Sequence, residues 1–231
     1  MVNKLQTKAY IERIMRIYKD SELAFKIQSL FQNELPILVS ANSMNGNVLS
    51  IKLSEVCRSK KVLEFGSGGS TLLLAEFAEQ LISIESDKKF AAQLNKRLED
   101  LNYSKASVIY ANIGPTKSFG QPISCLAPIF KKKYMNYARI FDNLDSQFNP
   151  DVVFVDGRFR VWCSIQACQK LDQNFILIVD DYFDRTEYHE IEKFLGPAKM
   201  FSENTAYFEV QPKSINKSIF DALEYYSLDY R

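Results

Sequence analysis

The segment Lys61–Glu85, K-V-L-E-F-G-S-G-G-S-T-L-L-L-A-E-F-A-E-Q-L-I-S-I-E, constrains this chain more than any other. Val62, Leu63 and Phe65 form a short apolar run of the kind buried on both faces of a parallel sheet. A glycine turn, Gly66-Ser67-Gly68-Gly69-Ser70, separates it from helix-forming residues over Thr71–Gln80. Leu81, Ile82 and Ile84 then read as a second strand ending on Glu85. Strand, glycine turn, helix, strand and acid make a βαβ unit suited to a nucleotide-like ligand. Glycine lets the backbone turn sharply and approach a ligand without a Cβ in the way. A carboxylate closing the second strand can accept two hydrogen bonds from a ribose diol.

The remaining chain repeats the alternation. Leu49–Cys57 predicts a short helix before the first strand. Asp87 is placed to cap a helix running to Leu101, with Phe90, Leu94, Leu98 and Leu101 on one face. Ala106–Tyr110 predicts a third strand and Asp151–Val155 a fourth. A helix over Val161–Leu171 follows, then a fifth strand at Phe175–Val179. A helix around Glu187–Leu195 stops at Gly196-Pro197. Lys199–Phe201 and Ala206–Val210 predict an antiparallel hairpin. The expected fold is therefore α/β, a Rossmann-like doubly wound sheet of seven strands, parallel except for the last, with helices on both faces.

The expected organisation is an N-terminal helical extension (1–47), the sheet domain (48–211) with an insertion at 115–150, and a C-terminal tail (212–231) forming an amphipathic helix. The tail helix would place Ile215, Ile219, Leu223 and Tyr226 on one face. The insertion holds a helical stretch from Tyr134 to Leu144 and the basic run Lys131–Lys133. Its N-terminal counterpart, two helices broken near Asp20-Ser21, covers the sheet, forms a lid or makes a homodimer contact.

At 231 residues, with 46% hydrophobic and 25% charged residues, the composition is that of a globular protein. The net charge of +1 gives no bulk attraction to nucleic acid or anionic membrane. Cys57, Cys125, Cys163 and Cys168 form no C-x-x-C pair and read as reduced thiols. With His189 the one histidine, zinc is disfavoured. The N-terminus shows no apolar signal region, and no apolar run reaches membrane-spanning length. The expectation is a cytoplasmic protein acting on a small molecule.

The dinucleotide fingerprint G-x-G-x-x-G does not fit the turn. The pattern is E-x-G-x-G-G-S, with Glu64 before the glycines, where a carboxylate repels a pyrophosphate and suits the ammonium of a bound amino acid. This resembles the first motif of class I S-adenosylmethionine-dependent methyltransferases, and Glu85 falls where that family keeps its ribose-binding acid. The resemblance implies a cofactor site formed by Glu64, Gly66, Ser67, Gly68, Ser70, Glu85, Ser86, Asn112, Ile113 and Asp156. Asn112, at the end of the third strand, would face the adenine amino group.

The fourth strand ends in F-V-D-G and the fifth in I-V-D-D-Y. These resemble the metal-dependent O-methyltransferases of the catechol and sugar-modifying groups, with Asp156, Asp180 and Asp181 matching three metal-ligand positions for Mg2+ or Ca2+. In that reading the metal lowers the pKa of an acceptor hydroxyl and positions it. Arg158 stands where the sugar-modifying relatives carry an acid that serves as base. Either the metal alone activates the hydroxyl or the base is Asp181, Asp184 or His189, and the candidate catalytic residues are Asp156, Asp181 and His189. Arg158, Arg160, Tyr182 and Arg185 are candidate substrate contacts, and the arginines suit an anionic acceptor. The same arginines could instead pair with the aspartates and neutralise them without metal. The whole D-G-R-F-R…D-D-Y-F-D-R-x-x-Y-H arrangement also resembles bacterial methyltransferase-like proteins. The rival functions are a binding module that holds S-adenosylmethionine without chemistry, and a nucleotide-dependent oxidoreductase.

Overall fold

The computed structural model describes residues 47–116, 120–122, 132–145 and 147–230. Two compact units divide the chain, Met1–Leu38 and Val39–Arg231, and every described residue lies in the second. The expected N-terminal helices with their dimer contact, Cys125 and Lys131 lie outside the described residues.

The strands are β1 (Lys61–Phe65), β2 (Gln80–Glu85), β3 (Ala106–Tyr110), β4 (Val152–Val155), β5 (Phe175–Val179), β6 (Lys199–Ser202) and β7 (Thr205–Val210). They form one seven-stranded sheet in the order β3-β2-β1-β4-β5-β7-β6. The first five strands pair in parallel, and β7 runs antiparallel to both β5 and β6. The expected sheet, with the last strand reversed, is the one observed.

Apolar runs bury the central strands on both faces. On one face Val62, Leu81, Val152 and Phe154 pack against Leu49, Leu53 and Cys57 of α1 (Asn47–Cys57) and Leu74 of α2 (Gly69–Phe77). Leu94 and Leu98 of α3 (Lys88–Asp100) cover Val108 beyond them. On the other face Leu63, Phe65, Val153 and Val155 meet Trp162 and Ile165 of α4 (Arg160–Lys170). Asp87 caps α3 by accepting from the Lys89 and Phe90 N–H groups. At the β3 edge, the Asn95 amide bonds both the N–H and the carbonyl of Val108.

Three helices expected from periodicity are broken into shorter pieces, the one around Glu187–Leu195 forming as a 3-10 turn, Thr186–Ile191, and a four-residue helix, Glu192–Leu195. Within Tyr134–Leu144 the chain leaves a helical stretch that ends at Tyr134 and passes through turns into a 3-10 turn, Arg139–Asp142. In the tail, 3-10 turns at Pro212–Ser214 and Glu224–Leu228 flank a four-residue helix, Ile219–Ala222. The large apolar side chains buried there are Phe220, Leu223 and Tyr226. Their three-residue spacing aligns on a 3-10 turn and drifts off the face of an α-helix.

Candidate functional site

The sheet reverses its winding between β1 and β4, and in open α/β sheets ligands bind outside the carboxyl ends of the strands at that point. Two glycines line it. Gly66 follows β1 with φ +98°, and a Cβ on it would lie 2.4 Å from the Gly157 nitrogen. Gly157 follows β4, and a Cβ there would lie 2.2 Å from the Tyr137 hydroxyl and 2.8 Å from the Gly66 Cα. Backbones this close leave no room for side chains between the two strand ends. Gly68 differs: its backbone is extended, and a Cβ would meet nothing within 4 Å.

Beneath the glycine turn, Glu64 is completely buried. Its carboxyl accepts from the Ser70, Thr71 and Ser83 hydroxyls at 2.5, 2.6 and 2.5 Å. Thr71 in turn accepts from the Gly68 N–H at 2.8 Å, and Ser67 lies 2.6 Å from the Ser83 hydroxyl. Burial pushes the Glu64 carboxyl up to about 7, with the three hydroxyls opposing and Glu85 adding to the rise. The carboxyl thus ties the turn and the start of α2 to β2.

At the end of β2, Glu85 places Oε1 against the Ser86 and Asp87 N–H groups, at 2.6 and 2.7 Å. Oε2 receives no hydrogen bond from the described residues. Burial raises this carboxyl too, against the backbone hydrogen bonds that favour its charge. Gly120, at φ +66°, packs against Ser86 and Glu85, and its carbonyl accepts from the Ser86 hydroxyl at 3.3 Å. After β3, Asn112 is exposed, its side-chain oxygen accepting from the Gly114 N–H at 3.0 Å, while Ile113 is buried in the core.

The ends of β4 and β5 are gathered around one guanidinium. Arg160 is 5% exposed. Its Nε donates to the Gly157 carbonyl at 3.0 Å, and one terminal nitrogen donates to the Asp180 carbonyl. The other terminal nitrogen reaches the Asp156 carbonyl at 2.9 Å and the carboxylates of Asp156 and Asp181, each at 3.2 Å. Arg185 adds a 3.0 Å ion pair to the same Asp181 oxygen, and its other terminal nitrogen donates to the Tyr188 hydroxyl at 3.2 Å. The Asp180 carboxylate accepts from Thr205 at 2.5 Å. Two non-glycine residues around this guanidinium, Phe159 (φ 56°) and Asp181 (φ 51°), are held in the left-handed region, and such strain collects at functional sites.

Burial pushes the Asp156 carboxyl up to about 8, opposed by Arg160 and reinforced by Asp180, Asp181 and Glu64. Its side chain is 37% exposed, and solvent on that side offsets part of the burial. Burial lowers Arg158, and the neighbouring charges of Arg160 and Arg185 lower it further.

Against solved structures, the chain is 30% identical to a methyltransferase-like protein from Silicibacter pomeroyi, with a TM-score of 0.72, covering 81% of this chain and 96% of that one. The chain belongs to the same methyltransferase-like family. A methyltransferase from Geobacter sulfurreducens is 11% identical over 90% of each chain, with a TM-score of 0.49. The T. thermophilus 16S rRNA N2 G1207 methyltransferase, in complex with AdoMet and guanosine, is 15% identical over 74% of this chain and 45% of its own, with a TM-score of 0.49. No protein-family model matches the chain, and no curated protein does.

In this methyltransferase the expected metal set is not formed. Among the described residues no three His, Cys, Asp or Glu side chains are arranged to hold a metal ion. Asp156 and Asp181 are bridged by Arg160, and Asp180 is turned toward Thr205. A divalent ion needs carboxylate oxygens at about 2.0–2.6 Å, and a guanidinium nitrogen lies between them. The donor set does not fit Mg2+ or Ca2+. Of the two readings open from sequence, neutralisation by arginine is the one formed.

Several other residues are placed differently from expectation. Glu64 and Ser70 bond each other beneath the turn, so Glu64 offers no open oxygen to a ligand ammonium. Arg160 is a buried clamp, not a substrate contact. Tyr182 is wholly buried, its hydroxyl 3.2 Å from Glu192. The expected base His189 is stacked on Tyr182, its Nε2 buried without a hydrogen-bond partner among the described residues. Asp181 is held by two arginines, and Asp184 bonds the Asn204 side chain at 2.8 Å.

Sequence reasoning passed over Thr71, Ser83, Tyr137 and Tyr188. Ser83 carried a usable signal: it is the polar residue inside the apolar run L-I-S-I, and it pairs in register with Glu64. Tyr137 carried none. Its buried hydroxyl lies 3.4 Å from the Ile84 carbonyl and takes a backbone hydrogen bond from Arg158, both set by tertiary packing.

Proposed function

We propose that the chain is an S-adenosylmethionine-dependent methyltransferase that methylates an oxygen of a small, polar, anionic acceptor without a metal. The observation that carries this reading is Glu85. Its Oε1 is spent on two backbone N–H groups, while its Oε2 takes no hydrogen bond from the described residues. An acceptor oxygen held rigidly at the end of the second strand suits a ribose hydroxyl.

The chain fits the cofactor through the open space above Gly68, where a Cβ would come within 4 Å of none of the described residues, and through the exposed Asn112 after β3. When bound, S-adenosylmethionine supplies an electrophilic methyl on a sulfonium, so no acid catalyst is needed at the leaving group. The residues must hold the acceptor oxygen in line and take its proton. Asp156 is the carboxylate for that task, beside the glycine turn and more open to solvent than the core. Arg185 is half-exposed and Arg158 is destabilised by its cationic neighbours, so a carboxylate or phosphate on the acceptor would find favourable charge there. The chain's near-neutral charge gives no reason to expect nucleic acid as acceptor.

Calorimetric titration with S-adenosylmethionine and S-adenosylhomocysteine tests the reading. Heat with both is expected, with about one site per chain. Heat only with a nicotinamide dinucleotide would move the protein to the oxidoreductases. Binding with no turnover across hydroxylated carboxylates and sugar phosphates would leave a binding module.

A further inference from the structure

We propose that Arg160 is the resident cation of this site, a positioning residue whose guanidinium fills the space and supplies the charge that a divalent metal would need among Asp156, Asp180 and Asp181. Its part in positioning an acceptor rests on the methyl-transfer reading above. Its exclusion of a metal does not.

The guanidinium occupies two of the three carboxylates that a metal would have to collect, and Thr205 holds the third, that of Asp180. One nitrogen is 3.2 Å from the carboxylates of both Asp156 and Asp181. The same side chain takes the main-chain carbonyls of Asp156, Gly157 and Asp180. Five contacts from one planar fork hold two strand ends at a fixed separation, a geometry that suits arginine and not a lysine's point charge. The side chain is 94% buried by its neighbours, and an ion could take its place only by breaking these five contacts. Removing a buried charge partner is costly because the carboxylates left behind are uncompensated.

Two consequences separate this arrangement from a metal centre. The cation here is covalently fixed and singly charged, so chelators cannot remove it. It also engages carbonyls as well as carboxylates, so it sets the backbone of the Gly157 turn and with it the approach of Gly157 to Gly66. The Asp156 carboxylate is held by its Oδ1 alone among the described residues, which leaves the second oxygen available to an acceptor.

The test is a Mn2+ titration of the full chain, read from the electron paramagnetic resonance signal of free Mn2+, with wild type, Arg160→Ser and Arg160→Lys. Wild type and Arg160→Lys are expected to leave Mn2+ free up to about 1 mM, the weak end of protein cation sites. Arg160→Ser should bind it, and its melting temperature should rise with Mn2+ while that of wild type stays constant. Wild-type binding of Mn2+ that Asp181→Asn abolishes would overturn the proposal. A folded Arg160→Ser chain that gains no Mn2+ binding would overturn it as well. If Arg160→Ser does not fold, the wild-type titration decides alone. The titration contains no cofactor, so its failure and a failure to bind S-adenosylhomocysteine are separate results.

Discussion

The Gly66 Cα and the Gly157 backbone stand so close that a methyl group on either would overlap the other turn. Gly66→Ala combines that overlap with a left-handed φ of +98°, and should destabilise the fold by at least about 2 kcal/mol in urea unfolding. Gly68→Ala is the informative contrast. Its added methyl meets no protein atom, so stability should change by less than about 1 kcal/mol. Cofactor affinity should nonetheless fall by about tenfold or more if the turn cradles a ligand, as measured by titration with S-adenosylhomocysteine. Unchanged affinity would remove the glycine turn from the binding site.

Glu64 makes stability depend on pH in a predictable direction. Its folded-state value, about 7, lies above its ordinary 4.5, so the folded chain holds the proton more tightly. The stabilisation is complete below about pH 4.5 and is lost as pH rises through 7. At about 1.36 kcal/mol per pH unit the loss is roughly 3 kcal/mol. Asp156 contributes with the same sign over a wider window, from its ordinary 3.8 up to about 8, discounted for the solvent on its open side. Denaturant unfolding from pH 5 to 8 should show this decline, and Glu64→Gln should flatten it.

Glu85→Gln retains the shape and replaces one acceptor oxygen with a donor. Hydrogen bonds to a charged group contribute about 1.5–3 kcal/mol, so affinity for S-adenosylhomocysteine should drop by about ten- to a hundredfold. Melting of the unliganded chain should move by only a few degrees. Equal affinity for wild type and variant would mean that no ribose sits at β2.

Arg185 separates acceptor binding from stability. Its pair with Asp181 is half-exposed, and pairs of that kind contribute little to folding, about 0–1 kcal/mol. Arg185→Ala should therefore fold normally and raise KM for an anionic acceptor by about tenfold, with kcat much less affected. Asp156→Asn should do the reverse: turnover falls by about a hundredfold or more, while S-adenosylhomocysteine binding stays within a few-fold. Retained turnover in Asp156→Asn would place the base elsewhere.

The parts of the site readable in the sequence are those set by local backbone. Gly66 announces a turn that only glycine tolerates, and Glu85 ends an apolar strand where an acid has no packing role. The strand boundaries at Ala106–Tyr110 and Phe175–Val179 follow from apolar runs bounded by polar residues, and the sheet bears them out. Contacts made across the sheet were not readable. Nothing in D-G-R-F-R says that Arg160 turns inward beneath two strand ends while Arg158 remains half-buried beside it. The metal expectation arose from three aspartates counted along the chain, whereas their charge is answered by a side chain counted as a substrate contact. In the tail, apolar residues at helical spacing were expected to form one helix, but the buried positions recur every third residue and the chain follows them.

Asp181 adopts a torsion that favours glycine, and it is also the anchor shared by Arg160 and Arg185. Replacing it with glycine would relieve the torsion and cut both tethers at once. Relief of one strained torsion is smaller than the loss of a partner to a buried guanidinium, so the strained aspartate outlasts glycine here because it fastens β5 to its neighbour.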